Sequence, residues 1–98
     1  MASDRVERKV FHRPHSRVEM FILPDLFGKR PSAYIHKVYT DAAFQGRGLA
    51  SGLVREAVEY ARERGCYKVF LVCQEDVFPF YEMLGFQKGQ VEMSVRFD

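Results

Sequence analysis

The alternation of apolar and polar positions divides the chain into strands, one long helix and turns. A short strand begins at Val10-Phe11 and is stopped by Arg13-Pro14. "VEMFIL", Val18 to Leu23, is a second strand ended by Pro24-Asp25. Leu26 to Ser32, with Gly28 and Pro31, is a loop. Ala33 to Thr40, "AYIHKVYT", rich in β-branched and aromatic residues, is a third strand. From Leu49 the period changes. Leu49, Leu53, Val54, Ala57, Val58 and Ala61 recur at the spacing of one helical face. Gly65 ends that helix, after Arg62 and Arg64 have placed positive charge near its last carbonyls. "YKVFLVC", Tyr67 to Cys73, is a continuous apolar run, as in a central strand covered on both faces. Asp76 is placed to cap a shorter helix that runs to Leu84, with Pro79 in its first turn and Gly85 at its end. "VEMSVRF", Val91 to Phe97, alternates like a closing strand.

This order predicts an α/β domain in which a crossover helix joins strands 33–40 and 67–73. The length suits one domain over residues 1–98, with residues 1–8 frayed. No apolar run approaches the roughly 20 residues that a membrane span needs. "MASDRVERKV" also lacks the apolar stretch of a signal peptide, so a cytoplasmic protein with no membrane partner is expected. Cys66 and Cys73 have neither metal-ligand nor disulfide-framework spacing and read as reduced, buried thiols; no metal site is expected. The formal net charge is +2. Arg55, Arg62 and Arg64 alternate with Glu56, Glu59 and Glu63, which marks a solvated helix face and not a nucleic-acid footprint.

The chemistry concentrates in "FQGRGLA", Phe44 to Ala50, between a strand and the long helix. The first N–H groups of a helix have no intrahelical partner, and with the helix dipole they form an anion site. Gly46 and Gly48 remove side chains that would hold a phosphate off the backbone, and Arg47 adds charge at the rim. The same glycines also serve a sharp turn that needs no ligand. The Gly-Lys-Ser/Thr ending of a P-loop is absent.

"QGRGLA" resembles the Gln/Arg-x-x-Gly-x-Gly/Ala signature of the GNAT superfamily of acyl-CoA N-acyltransferases. "FYEMLGF", Phe80 to Phe86, is similar to that family's second signature, and the resemblance covers residues 33–97. It implies a mixed central sheet with a long helix after the glycine-rich turn and a short C-terminal helix. The N-terminal helices of the full fold are largely missing. It also implies an acetyl-CoA-dependent N-acetyltransferase in which a primary amine, on a small molecule or a peptide, attacks the thioester directly. A non-catalytic acyl-CoA-binding module and a small interaction domain are the alternatives.

By the same resemblance, the backbone of Gln45, Gly46, Arg47, Gly48 and Ala50 takes the pyrophosphate of coenzyme A. Val38, Tyr39 and Thr40 pair with the pantetheine arm, and the amide of Val38 polarises the thioester carbonyl. Tyr81 is the motif tyrosine that protonates the departing thiolate; its bland reading is a core aromatic. The family often uses a glutamate as base, but "YIHKVYT" holds no carboxylate. His36 is the candidate there that suits a base near neutrality, or else a hydrogen-bonded histidine with no catalytic task. Alternation puts Tyr34, His36, Val38 and Thr40 on one strand face. His12 and His15 receive no role. "GCYKVFLVC", "FYEMLGF" and "VEMSVRF" resemble the end of glucosamine-6-phosphate N-acetyltransferases. That branch, however, has an acidic pair where His36 and Lys37 stand, and an asparagine where this chain has Gln74 to Val77. The short N-terminal part implies either an open acceptor site or one completed by a second subunit. A homodimer is expected because a small domain would otherwise expose sheet edge and apolar surface.

Overall fold

The computed structural model describes residues 5–25 and 30–98. Three antiparallel strands come first: β1 (Glu7–Arg13), β2 (Ser16–Leu23) and β3 (Ser32–Thr40). A single turn of 3₁₀ helix (Ala42–Phe44) leads to the long helix α1 (Leu49–Glu63). The chain then returns as β4 (Lys68–Phe70), parallel to β3, and the sheet order is β1-β2-β3-β4. A second 3₁₀ turn (Glu75–Val77) precedes α2 (Phe78–Met83). No helix among the described residues is long and apolar enough to cross a membrane.

The core is the layer between α1 and one sheet face. Val18, Met20 and Ile22 alternate inward from β2, joined by Phe11 of β1 and by Ala33 and Ile35 of β3. Leu53, Val54, Ala57 and Ala61 meet them from α1, with Val58 partly buried beside them. Fully burying a side chain such as Met20 or Leu53 contributes about 1.5–3 kcal/mol. The small residues Ala57 and Ala61 let the helix lie close to the strands. Gly65 closes α1 at φ +80°. There Cys66 N–H donates to the Ala61 carbonyl (3.1 Å) and Gly65 N–H to that of Arg62 (3.0 Å), the paired bonds of a Schellman motif.

Several expectations are corrected. The first strand starts at Glu7, so residues 7 and 8 are ordered in a ladder, where Arg8 also pairs with Glu19 at 2.6 Å. Residues 1–4, and Leu26 to Lys29 of the expected loop, lie outside the described residues. The apolar run 67–73 forms only a three-residue strand at the sheet edge, not a central one. Its apolar character exceeds what α1 covers, and Tyr67 and Val72 stay exposed. Asp76 caps nothing: Val77 holds the cap position of α2, without a side-chain bond.

The run 91–97 pairs with no strand among the described residues. Its alternation is a local property, whereas a strand also needs an edge to join. Val91, Met93, Val95 and Phe97 are therefore all exposed, Phe97 to 96%. The radius of gyration is 14.3 Å, against about 12.6 Å for a compact domain of this length.

Candidate active site

β3 has two unequal edges. β4 covers it only at Ser32, Ala33 and Tyr34, so from Ile35 to Thr40 that edge has no strand partner among the described residues. On the other edge the pairing with β2 slips: Met20 opposes Ile35 while Glu19 opposes Lys37, leaving His36 as the extra residue of a bulge. The slip reverses the side-chain faces. Before it, Ala33 and Ile35 face α1; after it, Val38 and Thr40 do, opposite the buried Val18 and Ser16. The expected common face of Tyr34, His36, Val38 and Thr40 is thus overturned. Tyr34 and His36 share the outer face, with His36 5.7 Å from Tyr34 and 5.9 Å from Phe21.

The backbone directions beyond the bulge follow from three contacts. Ser16 Oγ donates to the Tyr39 carbonyl (3.1 Å) and Asp41 N–H donates to the His15 carbonyl (2.8 Å), so residues 39 and 41 point toward the β1–β2 side. Alternation then turns the N–H and C=O of Val38 and Thr40 to the open edge. Accordingly, the Thr40 carbonyl meets the Gln45 side chain at 3.2 Å. An extended ligand with amide groups finds there a sheet edge ready for pairing.

That edge runs into the glycine-rich turn. Gly46 and Gly48 adopt φ +78° and +79°, conformations that a side chain resists. A Cβ on Gly46 would meet nothing within 4 Å, so the backbone angle and not crowding demands glycine. Gly48 caps α1 without a side-chain bond, and no acidic residue stands in the first turn. The leading N–H groups of α1, Ala50 among them, lack helical partners, and Gln45 to Gly48 are exposed. The arrangement is an uncapped positive helix end with no acidic residue in its first turn.

Tyr81 stands on α2, whose end explains the "FYEMLGF" motif physically. Gly85 takes φ +92°, Phe86 N–H donates to the Tyr81 carbonyl (3.1 Å), and Gly85 N–H donates to that of Glu82 (3.0 Å). This second Schellman turn folds Phe86 back onto Tyr81, with ring centres 5.6 Å apart. Phe80 adds an edge contact at 4.9 Å. Burial, then the neighbouring Cys73, pushes the Tyr81 phenol above its ordinary pKa. No described residue hydrogen-bonds its hydroxyl. Cys66 and Cys73 are free thiols, each pushed up chiefly by burial.

His36 is not alone. Its Nδ1 lies 3.1 Å from Glu19 Oε1 of β2, whose other oxygen takes Arg8 at 2.6 Å. The hydrogen bond from His36, then Arg8, holds the Glu19 carboxyl below its usual range. An ionised Glu19 can only accept, so Nδ1 carries a proton, and it is in the neutral ring that Nε2 offers a lone pair. The rings around Tyr81 and those around His36 are different sets, and α2 and β3 present them separately.

The Acetyltransferase (GNAT) family matches residues 13–86. The chain belongs to the GNAT family. Among relatives of this GNAT chain, a glucosamine 6-phosphate N-acetyltransferase of Trypanosoma brucei brucei is 37% identical over 91 residues, covering 87% of this chain and 62% of the relative. Glucosamine 6-phosphate N-acetyltransferase 1 of Oryza sativa subsp. japonica is 44% identical over 64 residues, 65% of this chain and 39% of the relative. The crystal structure of a Trypanosoma brucei acetyltransferase superimposes with a TM-score of 0.82 at 33% identity, covering 96% of this chain and 70% of that one. The chain thus spans less than two thirds of the length of these curated relatives. The α/β fold is a GNAT fold in truncated form.

Two site features of this GNAT chain lie outside the sequence reading. Glu19 of the adjacent strand places a carboxylate beside His36, where "YIHKVYT" itself has none. Its only signal in the sequence is a charged position between the inward Val18 and Met20. The bulge at His36 shows in the sequence only as the polar pair His36-Lys37 between the inward Ile35 and Val38, since an unbroken register would put Lys37 on the buried face.

Proposed function

We propose that this GNAT chain is a single N-acetyltransferase domain that transfers the acetyl group of acetyl-CoA to a primary amine. The observation that carries the reading is the open edge of β3, which runs directly into an uncapped helix N-terminus through two left-handed glycines. The pantetheine arm lies along Val38, Tyr39 and Thr40, and the pyrophosphate lies on the backbone of Gln45, Gly46, Arg47, Gly48 and Ala50. The amine nitrogen attacks the thioester carbonyl carbon and forms the C–N bond. The Val38 N–H, aimed at the open edge, stabilises the oxyanion. The C–S bond then breaks, the Tyr81 O–H protonates the thiolate, and the proton of the amine passes to His36 Nε2. Relatives that act on glucosamine 6-phosphate make amino-sugar phosphates the first acceptors to screen.

The His36–Glu19 pair has its own test. His36→Ala lowers kcat about 100-fold or more, and Glu19→Gln lowers it less, since the ring loses orientation but not its base. Initial rates with a thiol reagent read both; unchanged rates mean that water, not His36, takes the proton. The pair also has a pH signature. The lowered pKa of Glu19 means its stabilising contribution is present above the ordinary value of 4.5 and is lost as pH falls through the folded value. Thermal midpoints of wild type and Glu19→Gln therefore converge in acid.

The active form is a homodimer, and its contact is the arm 91–97. Two arms placed antiparallel about Ser94 set Glu92 against Arg96 of the other copy in both directions, with Val91, Met93, Val95 and Phe97 on one shared face. The exposed Val72 and Met83 offer this face something to cover. Removing residues 90–98 yields a monomer by light scattering; a dimer of the shortened chain places the interface elsewhere. Two free thiols fit the reducing cytoplasm.

A further inference from the structure

Pro14 and His15 form the two-residue turn between β1 and β2. Among the described residues, His15 is the only non-glycine in the left-handed region, at φ +72°. After a proline, a turn of this type calls for glycine or asparagine, because a larger side chain raises its cost. The ladder does not need the imidazole, since its register from Glu7–Ile22 to Arg13–Ser16 is set by backbone pairing. A strained residue with no task in its own hairpin points to a task elsewhere.

The imidazole is fastened to the segment that delivers the glycine-rich turn. His15 Nδ1 lies 2.9 Å from Asp41 Oδ2, and its carbonyl accepts the Asp41 N–H at 2.8 Å. Its ring stacks on Phe44 at 3.6 Å with the planes 3° apart. Asp41 and Phe44 bracket the 3₁₀ turn, and Phe44 is followed directly by Gln45 to Gly48. The Arg47 guanidinium also lies over Phe44, 5.0 Å from its centre. A cleft of about 610 Å³ opens beside these groups, lined among others by Arg13, His15, Phe44, Arg47 and Gly48. Both ends of the lead-in are therefore held by one side chain from another hairpin.

We propose that His15 is a positioning residue that locks the glycine-rich turn in its ligand-ready conformation. The inference rests on the turn being the pyrophosphate site. Two glycines give that segment large conformational freedom, and freedom removed before the cofactor arrives is not lost on binding. The lock therefore acts on coenzyme A affinity, not on acetyl transfer. His15 contacts Asp41 and Phe44, not Tyr81 or His36, and takes no part in the proton steps.

The test sets affinity against stability and turnover. His15→Gly removes the ring and relieves the strained backbone angle. Its thermal midpoint stays level or rises, its coenzyme A dissociation constant rises about three- to tenfold, and its kcat at saturating acetyl-CoA is unchanged. Phe44→Leu gives a similar loss, and the double variant binds no worse than the weaker single one, as expected for one shared stack. Backbone ¹⁵N order parameters at Gly46 and Gly48 fall in ligand-free His15→Gly. Wild-type affinity and order parameters in His15→Gly overturn the lock, as does a fall in kcat with KM unchanged. Wild-type protein that binds no coenzyme A, yet loses order at Gly46 and Gly48 in the variant, keeps the lock and overturns the cofactor assignment of the turn.

Discussion

Tyr81→Phe lowers kcat by about 10²- to 10⁴-fold and leaves coenzyme A affinity unchanged. The substitution removes one oxygen and keeps the ring between Phe80 and Phe86. No described residue loses a hydrogen bond, so the folded state is preserved and the change isolates the proton donor. A departing thiolate has a pKa near that of a cysteine, about 8.5, and a phenol pushed above about 10 stays protonated until it is needed. The pH profile carries the sign. Because Tyr81 must hold its proton and its pKa is raised, the alkaline fall of kcat in the wild type lies above pH 10. In Tyr81→Phe that limb disappears. A full-rate phenylalanine variant would mean that solvent protonates the thiolate and that Tyr81 only packs.

Gly48→Trp abolishes the stabilisation of the protein by acetyl-CoA. At a ligand concentration of 100 Kd the wild type gains about 2.7 kcal/mol, a rise of the thermal midpoint on the order of 10 °C for a domain of this size. The indole would stand at the mouth of the uncapped helix, where the pyrophosphate is proposed to sit. Any side chain at φ +79° carries a cost of about 1–2 kcal/mol, so Gly48→Ala is the necessary control. Its Cβ meets only Ser51 Oγ, at 3.7 Å. Alanine lowers the midpoint of the free protein but keeps the acetyl-CoA shift, whereas tryptophan loses both. Equal loss in the two variants would assign the effect to backbone strain, and an undiminished shift in Gly48→Trp would move the pyrophosphate elsewhere.

The motifs that carry the family were legible because each is a local device. The two glycines of "QGRGLA" are needed where the backbone turns left-handed into a helix, and Gly85-Phe86 of "FYEMLGF" closes a Schellman turn beneath Tyr81. Such turns depend on neighbours a few residues away, so the residue types alone announce them. The long helix was legible for a similar reason: its period of apolar residues names the buried face, and Leu53, Val54, Ala57 and Ala61 occupy it.

Long-range pairing was not legible in the same way. "YKVFLVC" carries the composition of a central strand, yet it pairs along one edge for three residues, because a strand's place depends on which edges its partners leave free. "VEMSVRF" has a strand's alternation, yet it pairs with no strand among the described residues. The bulge between Glu19 and Met20 sends His36 to one face and Val38 to the other, through a slip of one residue that changes no local propensity. The same pairing brings Glu19 to His36 across 17 residues of sequence, and a hairpin turn brings His15 to Asp41 and Phe44. The sequence by itself therefore determined the helix, the capped turns and the family, since all three rest on short-range geometry. Only the tertiary structure decided the open edge, the face of each site residue and the partners of its histidines, because register between strands is a property of the pair and not of either strand.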